Sequence, residues 1–236
     1  MRRYCLGVIV LMLAGATLAG QTAPRERLLF DGKTTTGWRG FKKAAFPERG
    51  WVVRDGWLTH VAAKGEPSGG DIITVDTFDN FDLTFEWKVA LGANSGVKYL
   101  VSEDRKGSSA VAHEYQVIDD ERHPDAKIGP HRATAALYDA IPVPANKPIK
   151  PAPEMNSGRI IVNGNHVEHW LNGVKVIEYE LGSPALMAAK AKSKFKDEAA
   201  WGTKFKGHIL LQDHGDEVSF RNIRIRELPS TSGTKQ

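Results

Sequence analysis

The chain has 236 residues, 41% hydrophobic and 25% charged, with 32 Lys and Arg against 28 Asp and Glu. That near balance gives no electrostatic reason to expect nucleic acid or an anionic membrane as partner, and the length suits one large all-β domain or two small ones. Cys5 is the single cysteine, which excludes both a disulfide scaffold and cysteine catalysis once the N-terminus is removed.

Residues 1–20 read as a secretory signal: Arg2 and Arg3 form the positive segment, Leu6 to Leu18 the apolar one, and Thr17-Leu18-Ala19-Gly20 offers small residues for cleavage. The apolar run is too short for a confident membrane span, which needs roughly 20 residues. No cysteine follows Leu18-Ala19-Gly20, so the usual lipoprotein acylation site is missing. Loss of Arg2 and Arg3 leaves a mature net charge of about +2. An exported chain without a disulfide fits a bacterial periplasm, or secretion, with no membrane contact after signal cleavage.

Downstream, short strands alternate with turn residues. Strands are expected at Trp51 to Val53, Trp57 to Thr59, Asp71 to Thr74, Phe81 to Val89, Val97 to Val101 and Tyr115 to Ile118. Phe81, Leu83, Phe85, Trp87 and Val89 occupy one face of their strand, and Asp82, Thr84, Glu86 and Lys88 the other. The proline-rich run Ile141 to Pro153 must be irregular, either rimming a cleft or serving as a structural spacer. Arg159 to Val162, His166 to Leu171 and Val174 to Tyr179 make two hairpins at Asn163-Gly164 and Asn172-Gly173, since Asn-Gly tolerates the positive φ of tight turns. A helix follows from Pro184 to Phe195, with Ser183 as N-cap and Pro184 where its missing N–H costs nothing. In Gly207 to Asp216, alternation puts His208, Leu210, Gln212 and His214 on one face and Ile209 and Leu211 on the other. A polar row on a strand suits a sugar, whose hydroxyls need donors and acceptors at fixed positions; a solvated sheet face would look the same. Val218 to Arg226 is the last strand, and Ser230 to Gln236 is polar and frayed. Many short strands with turn signals indicate an all-β sandwich.

Several groups carry chemistry. Glu86 lies on a polar strand face, and Glu114 and Gln116 share a face of His113 to Val117. If those strands are neighbours, two carboxylates and an amide enter one groove, the usual equipment for glycosyl or acid–base chemistry; otherwise they are surface glutamates. Among the histidines, His214 is favoured, whereas His166 and His169 are three apart on a strand and face opposite ways. Asp213-His214-Gly215-Asp216 reads as a turn, or as oxygen ligands for a divalent cation. There is no Gly-x-Ser-x-Gly elbow and no Glu-x-Asp-x-x-Glu strand, which disfavours acyl chemistry and an ordinary retaining glucanase.

Seven segments in order carry a resemblance: Leu29-Phe30-Asp31-Gly32-Lys33 with Gly37-Trp38, Trp51 to Leu58, Gly70 to Thr74, Phe81 to Trp87 with Asn94-Ser95-Gly96-Val97, Glu114 to Asp119, Gly207 to Gly215, and Phe220 to Ile223. Together they resemble the 3-keto-disaccharide hydrolase family, over residues 27–228, with 229–236 left as a tail. The resemblance implies a concanavalin A-like jelly roll that cleaves glucosides whose 3-hydroxyl an upstream oxidoreductase has oxidised. A 3-keto group acidifies the C2 hydrogen, so a base can form an enolate that expels the C1 aglycone, and water then adds to the enone. That route needs a base near C2, a donor or metal on the keto oxygen and an acid for the leaving oxygen. Family-matching residues then supply candidates. Glu114 or His214 is the base, with Glu86 as partner. Asn94, Lys98, Gln116, Tyr138 and Gln212 bind the sugar, and Lys98 or a divalent cation polarises the ketone. No other cofactor is implied; the partner is a glucoside or oligosaccharide. A non-catalytic lectin-like jelly roll is the alternative, and a structural partner-binding protein the third reading. The six tryptophans read as packing rather than sugar platforms.

Overall fold

The computed structural model describes residues 26–61, 68–104, 107 and 109–229. The expected signal sequence and the tail from Ser230 onward lie outside the described residues.

The strands, in chain order, are β1 (Glu26–Leu28), β2 (Trp38–Gly40), β3 (Trp51–Arg54), β4 (Trp57–His60), β5 (Ile72–Thr74), β6 (Phe81–Val89), β7 (Asn94–Val101), β8 (His113–Ile118), β9 (Asn156–Asn163), β10 (His166–Leu171), β11 (Val174–Glu180), β12 (His208–Leu211) and β13 (Val218–Glu227). They form two antiparallel sheets. The larger, eight-stranded one runs β11-β10-β9-β6-β13-β4-β3, with β1 also paired to β13; the smaller, five-stranded one runs β2-β5-β12-β7-β8. The result is a jelly-roll sandwich with, among the described residues, a single α-helix, α1 (Pro184–Lys192).

Alternation drives the stacking. On β6 the row Phe81, Leu83, Phe85, Trp87 and Val89 is buried, and it meets Val97 and Tyr99 of β7 and Tyr115 and Val117 of β8 in one core cluster. Each large apolar side chain taken fully out of water is worth about 1.5–3 kcal/mol, so a one-residue slip of β7 or β8 would forfeit several such terms. The complementary row of β7 and β8 must therefore face outward, and that outer face holds the site.

Polar groups inside the core are satisfied as a chain. Tyr99 Oη lies 2.7 Å from His169 Nε2 and also bonds the Tyr179 hydroxyl, while His169 Nδ1 lies 2.9 Å from the Ala135 carbonyl. A carbonyl only accepts, so Nδ1 carries the proton and Nε2 receives the tyrosine O–H. Burial pushes His169 down to about 4. This neutral histidine is a packing element, whereas His166 on the opposite face joins Glu180 at 2.7 Å and Glu168 at 3.2 Å.

Three local expectations need amendment. Asn163 is the last residue of β9, so the first hairpin turns on Gly164 and Asn165, with only Gly164 at positive φ; Asn172 and Gly173 both have positive φ, as that turn type requires. Helix α1 stops at Lys192 rather than Phe195, because Ser193 turns extended and its N–H closes on Lys190. The proline-rich run is a spacer: Asn156 clasps both backbone groups of Lys150, at 2.9 and 3.0 Å, and none of its residues lines the groove described below.

Candidate active site

The outer face of the small sheet presents Asn94, Gly96 and Lys98 from β7, and Glu114 and Gln116 from β8. Lys98 and Glu114 are direct partners in the β7–β8 register, as are Gly96 and Gln116. Of these, Lys98 and Glu114 floor a groove of about 360 Å³ whose walls include Asp71, Lys194, Phe195 and Gln212, a volume within the range of small-molecule sites.

Glu114 is the centre. It is 4% exposed, and its Oε2 lies 3.8 Å from Lys98 Nζ, which also donates to the Ala110 carbonyl at 3.1 Å. Its carboxylate lies across Gly96, where a Cβ would overlap Glu114 Oε1. Burial pushes the Glu114 carboxyl above the usual carboxylate range; Lys98, Lys194 and His214 pull the other way and Asp71 adds to the rise. Asp71, another wall of the groove, is likewise raised by burial and opposed by Lys98. Two desolvated carboxylates thus share one buried ammonium, an arrangement suited to moving a proton.

The remaining groups offer hydrogen bonds. Gln116 Nε2 donates to Asn94 Oδ1 at 3.2 Å, which orients the amide and leaves Gln116 Oε1 buried without a partner. Gln212 Oε1 is also buried and unpartnered. An unsatisfied buried acceptor is costly, and sugar hydroxyls are the donors that would satisfy this pair. Tyr138 reaches the rim through its backbone N–H, which donates to the Glu114 carbonyl at 3.1 Å. Its hydroxyl donates to Asp125 Oδ2 at 2.7 Å, and the Lys194 ammonium sits 4.1 Å from its ring centre. Burial and the Asp125 bond both push the phenol up, so Tyr138 is a wall of the site and not a proton source.

Behind the groove, Asp213 gathers four donors: Ser68 Oγ, the Gly70 N–H at 2.7 Å, the Gly215 N–H at 2.8 Å and His60 Nε2 at 3.0 Å. Its own N–H donates to Asp71 Oδ1 at 2.9 Å. Asp213 therefore pins the Gly70-Asp71 segment to the loop after β12 and links the two sheets through His60. The carboxylate lies between Ser68 and His60, so this is not a nucleophilic triad.

Two expectations are corrected by the placement. Glu86 sits on β6, in the other sheet, where Arg221 Nε donates to it at 2.6 Å; it does not share a groove with Glu114. The four-residue polar row of β12 does not exist either. A register shift separates His208 from Leu210, the strand ends at Leu211, and Leu210 is buried beneath Phe41, Ala110 and Ala112. Gln212 reaches the groove from a loop, whereas His214 is exposed, does not line the groove and is linked to Glu114 and Asp71 only through charge. The structure thus brings together Glu114, Lys98 and Gln212, keeps Asn94 and Gln116 on the same sheet face and Tyr138 against Lys194, and adds Asp71, Lys194 and Asp213. Asp71 stood inside the Gly70 to Thr74 motif, but as a lone Asp at a strand start it gave no signal of its own.

A second hollow of about 400 Å³, on the outer face of the large sheet, is lined by Glu86, Arg159, Trp170 and Arg224. Its charges are already spent: Glu86 on Arg221, and Arg159 on Asp82 at 2.7 Å. Beside His214, the side chains of His123 and Asp216 bring ligand-type atoms within 4.8 Å of one another. Asp216 Oδ2 already accepts the Asn94 N–H at 3.0 Å, and His123 Nδ1 accepts the Asp125 N–H at 3.1 Å. The neutral His123 ring then carries its proton on Nε2. The trio has the residue types for a divalent cation, but as arranged His123 offers a donor and not a free lone pair.

Comparison with known proteins supplies the rest. Residues 25–226 match the model of the 3-keto-alpha-glucoside-1,2-lyase-like domain. A 3-keto-disaccharide hydrolase from Bacteroides thetaiotaomicron is 40% identical over 228 residues, covering 85% of this chain and 77% of that protein. The solved structure of a candidate glycosyl hydrolase from Parabacteroides distasonis aligns with a TM-score of 0.77 at 31% identity, covering 86% of this chain and 94% of that one. An inactivated β-agarase B in complex with agaro-octaose aligns at a TM-score of 0.51 with 11% identity, over 80% of this chain and 84% of that one; that likeness concerns the fold alone.

Proposed function

The chain belongs to the 3-keto-alpha-glucoside-1,2-lyase-like family and is a carbohydrate-active enzyme, and we propose that it cleaves 3-keto-glucosides by elimination followed by hydration. The observation that carries this reading is the buried Glu114–Lys98 pair, 3.8 Å apart, beside two unpartnered amide oxygens. An ordinary retaining glycosidase places two carboxylates about 5–5.5 Å apart with no need of an ammonium between them. Here an ammonium lies 3.8 Å from one carboxylate of raised basicity and acts by charge on a second, Asp71, which suits forming and holding an enolate.

In the first step Glu114 takes the C2 proton. The C–H electron pair moves into the C2–C3 bond, and the charge that develops on the C3 oxygen is met by Lys98. The enolate then re-forms the ketone as C1=C2 forms and the C1–O bond breaks; the exposed His214 gives the leaving oxygen its proton. In the second step water adds at C1, conjugate to the ketone, and gives up a proton to His214, which restores its charge, while C2 regains from Glu114 a proton exchanged with solvent. Gln116 and Gln212 accept hydrogen bonds from sugar hydroxyls, Asn94 orients Gln116, and Tyr138 walls the sugar. Asp71 completes the charge balance around Lys98.

A glucoside 3-oxidoreductase must supply the substrate, because without the ketone the C2 proton is not acidic. The signal-like residues 1–20 support a site of action outside the cytoplasm, in the periplasm or secreted. The test is aglycone release from 3-keto-trehalose and a 3-keto-β-glucoside against their unoxidised parents. Release confined to the keto substrates supports the reading; binding of the unoxidised sugars with no release of either kind would make the protein a lectin.

A further inference from the structure

We infer that the hollow adjoining the groove, walled by Leu100, Val111, Ala112, Trp201 and Phe205, is the leaving-group subsite and is built for an aromatic aglycone. The inference rests on the lyase reading above and names the part of the substrate that reading leaves open.

The hollow measures about 650 Å³ against about 360 Å³ for the polar groove. Both are lined by Val111 and Ala112, so one short segment before β8 forms the wall between them. Elimination needs such a pair of rooms. The sugar ring must lie among donors and acceptors, and the group across the C1–O bond must lie somewhere else. Lys98, Glu114 and Gln212 belong to the first room only.

The second room has the opposite chemistry. Trp201 is buried, with its indole N–H spent on the Ala112 carbonyl at 3.2 Å, and it stacks on Phe195, a wall of the groove, at 5.0 Å between ring centres. A continuous aromatic surface therefore runs from one room to the other. His113, behind Trp201 at 4.9 Å, is 1% exposed. Burial lowers it to about 3, so it stays neutral and adds no charge to the wall. Asp104 and Lys206 also line the hollow and are exposed, and the half-buried Ser102 and Glu198 line it too, so polar groups edge a surface that is otherwise apolar. An aromatic group gains from ring packing of this kind beyond its buried area, whereas a second sugar would lose water from its hydroxyls without partners to replace it.

The test compares kcat/KM for the 3-keto-glucosides of phenol and 2-naphthol, whose leaving oxygens are of similar acidity, with 3-keto-trehalose as a polar reference. Two variants alter only the hollow, the half-buried Phe205→Ser and the exposed Ala200→Asp. The naphthyl-to-phenyl ratio is expected to be about tenfold or more in the native enzyme and to fall toward one in both variants, with 3-keto-trehalose cleavage within about twofold of native. An unchanged ratio in both variants, with 3-keto-trehalose still cleaved, would overturn the subsite and leave the lyase reading standing. NMR of the Trp201 indole during titration with free 2-naphthol is read independently of turnover. A saturable shift lost in Ala200→Asp is expected, and no shift overturns the subsite. If no keto substrate is turned over, the lyase reading and the leaving-group role fall together, and the indole shift alone decides whether the hollow binds aromatics.

Discussion

The ammonium of Lys98 and the carboxylate of Glu114 face each other across one antiparallel register pair of β7 and β8, 3.8 Å apart and both buried. Each offsets part of the other's lost hydration, and burial still outweighs Lys98 at the Glu114 carboxyl. Removing either one leaves an uncompensated charge at the centre of the site.

Glu114→Gln keeps the size and hydrogen-bonding capacity of the side chain and removes its basicity. Cleavage of a 3-keto-glucoside is predicted to drop about 10²–10⁴-fold in kcat/KM, with a native circular dichroism spectrum and a melting temperature lowered by the Lys98 charge left without Glu114. His214→Ala should cost less, and more for a poor leaving group than a good one, since its part is to protonate the leaving oxygen. Native rates in both variants would remove the assignment of the base.

Burial raises Glu114 and Lys98 opposes that rise. The base must be ionised to act, so kcat/KM should climb with pH through a limb lying above the usual carboxylate range. Lys98→Met removes the opposing charge, so the same limb should move to still higher pH, on top of a loss of about 10²–10³-fold from the missing oxyanion partner. A limb that stays put or moves to lower pH in that variant contradicts the pairing.

Gly96→Ala tests geometry alone. The backbone there has no left-handed φ that would exclude alanine, but the added methyl would overlap Glu114 Oε1. Displacing the carboxylate by about 1 Å is expected to cost on the order of 10²-fold in rate, and mainly in kcat, with an intact fold by circular dichroism.

Asp213 and His60 carry a stability prediction. Burial pushes the Asp213 carboxyl up, but donors from His60, Ser68 and Gly215 outweigh it and hold it below the usual range. Burial lowers His60, and Asp213 with the Asp216 carbonyl more than reverses that. The carboxylate's contribution is complete above about pH 4 and fades as pH falls through its folded value. The imidazolium's is complete below about pH 6.5 and fades as pH rises through its raised value. Asp213→Asn, which leaves His60 buried and uncompensated, should cost about 3–5 kcal/mol. The loss is largest between those limits and smaller on either side, as read from denaturant melts across pH.

Much of this was legible in the chain. The alternation of Phe81 to Val89 and the paired Asn-Gly turns identified the sandwich, and the ordered motifs pointed to the family. Glu114 was a candidate because alternation puts it opposite Tyr115 and Val117, and Lys98 because the family resemblance supplied it. What alternation cannot tell is which strands are neighbours. Glu86 has the same pattern as Glu114, yet β6 pairs with β9 and β13 while β8 pairs with β7, and the two carboxylates fall in different sheets. The bulge between His208 and Leu210 likewise broke a period that the sequence continues without interruption. Asp71 gave no signal, and Asp213 read only as a turn residue or cation ligand, because their roles come from partners far along the chain, such as His60 and Ser68 for Asp213.

The most direct test is the fate of the C2 hydrogen. When the enzyme converts a 3-keto-glucoside in deuterated buffer, elimination followed by hydration predicts that the 3-keto-glucose product carries deuterium at C2, with none introduced by the Glu114→Gln variant under the same conditions. Cleavage that leaves the original proton at C2 would mean direct displacement at C1, and would contradict the account.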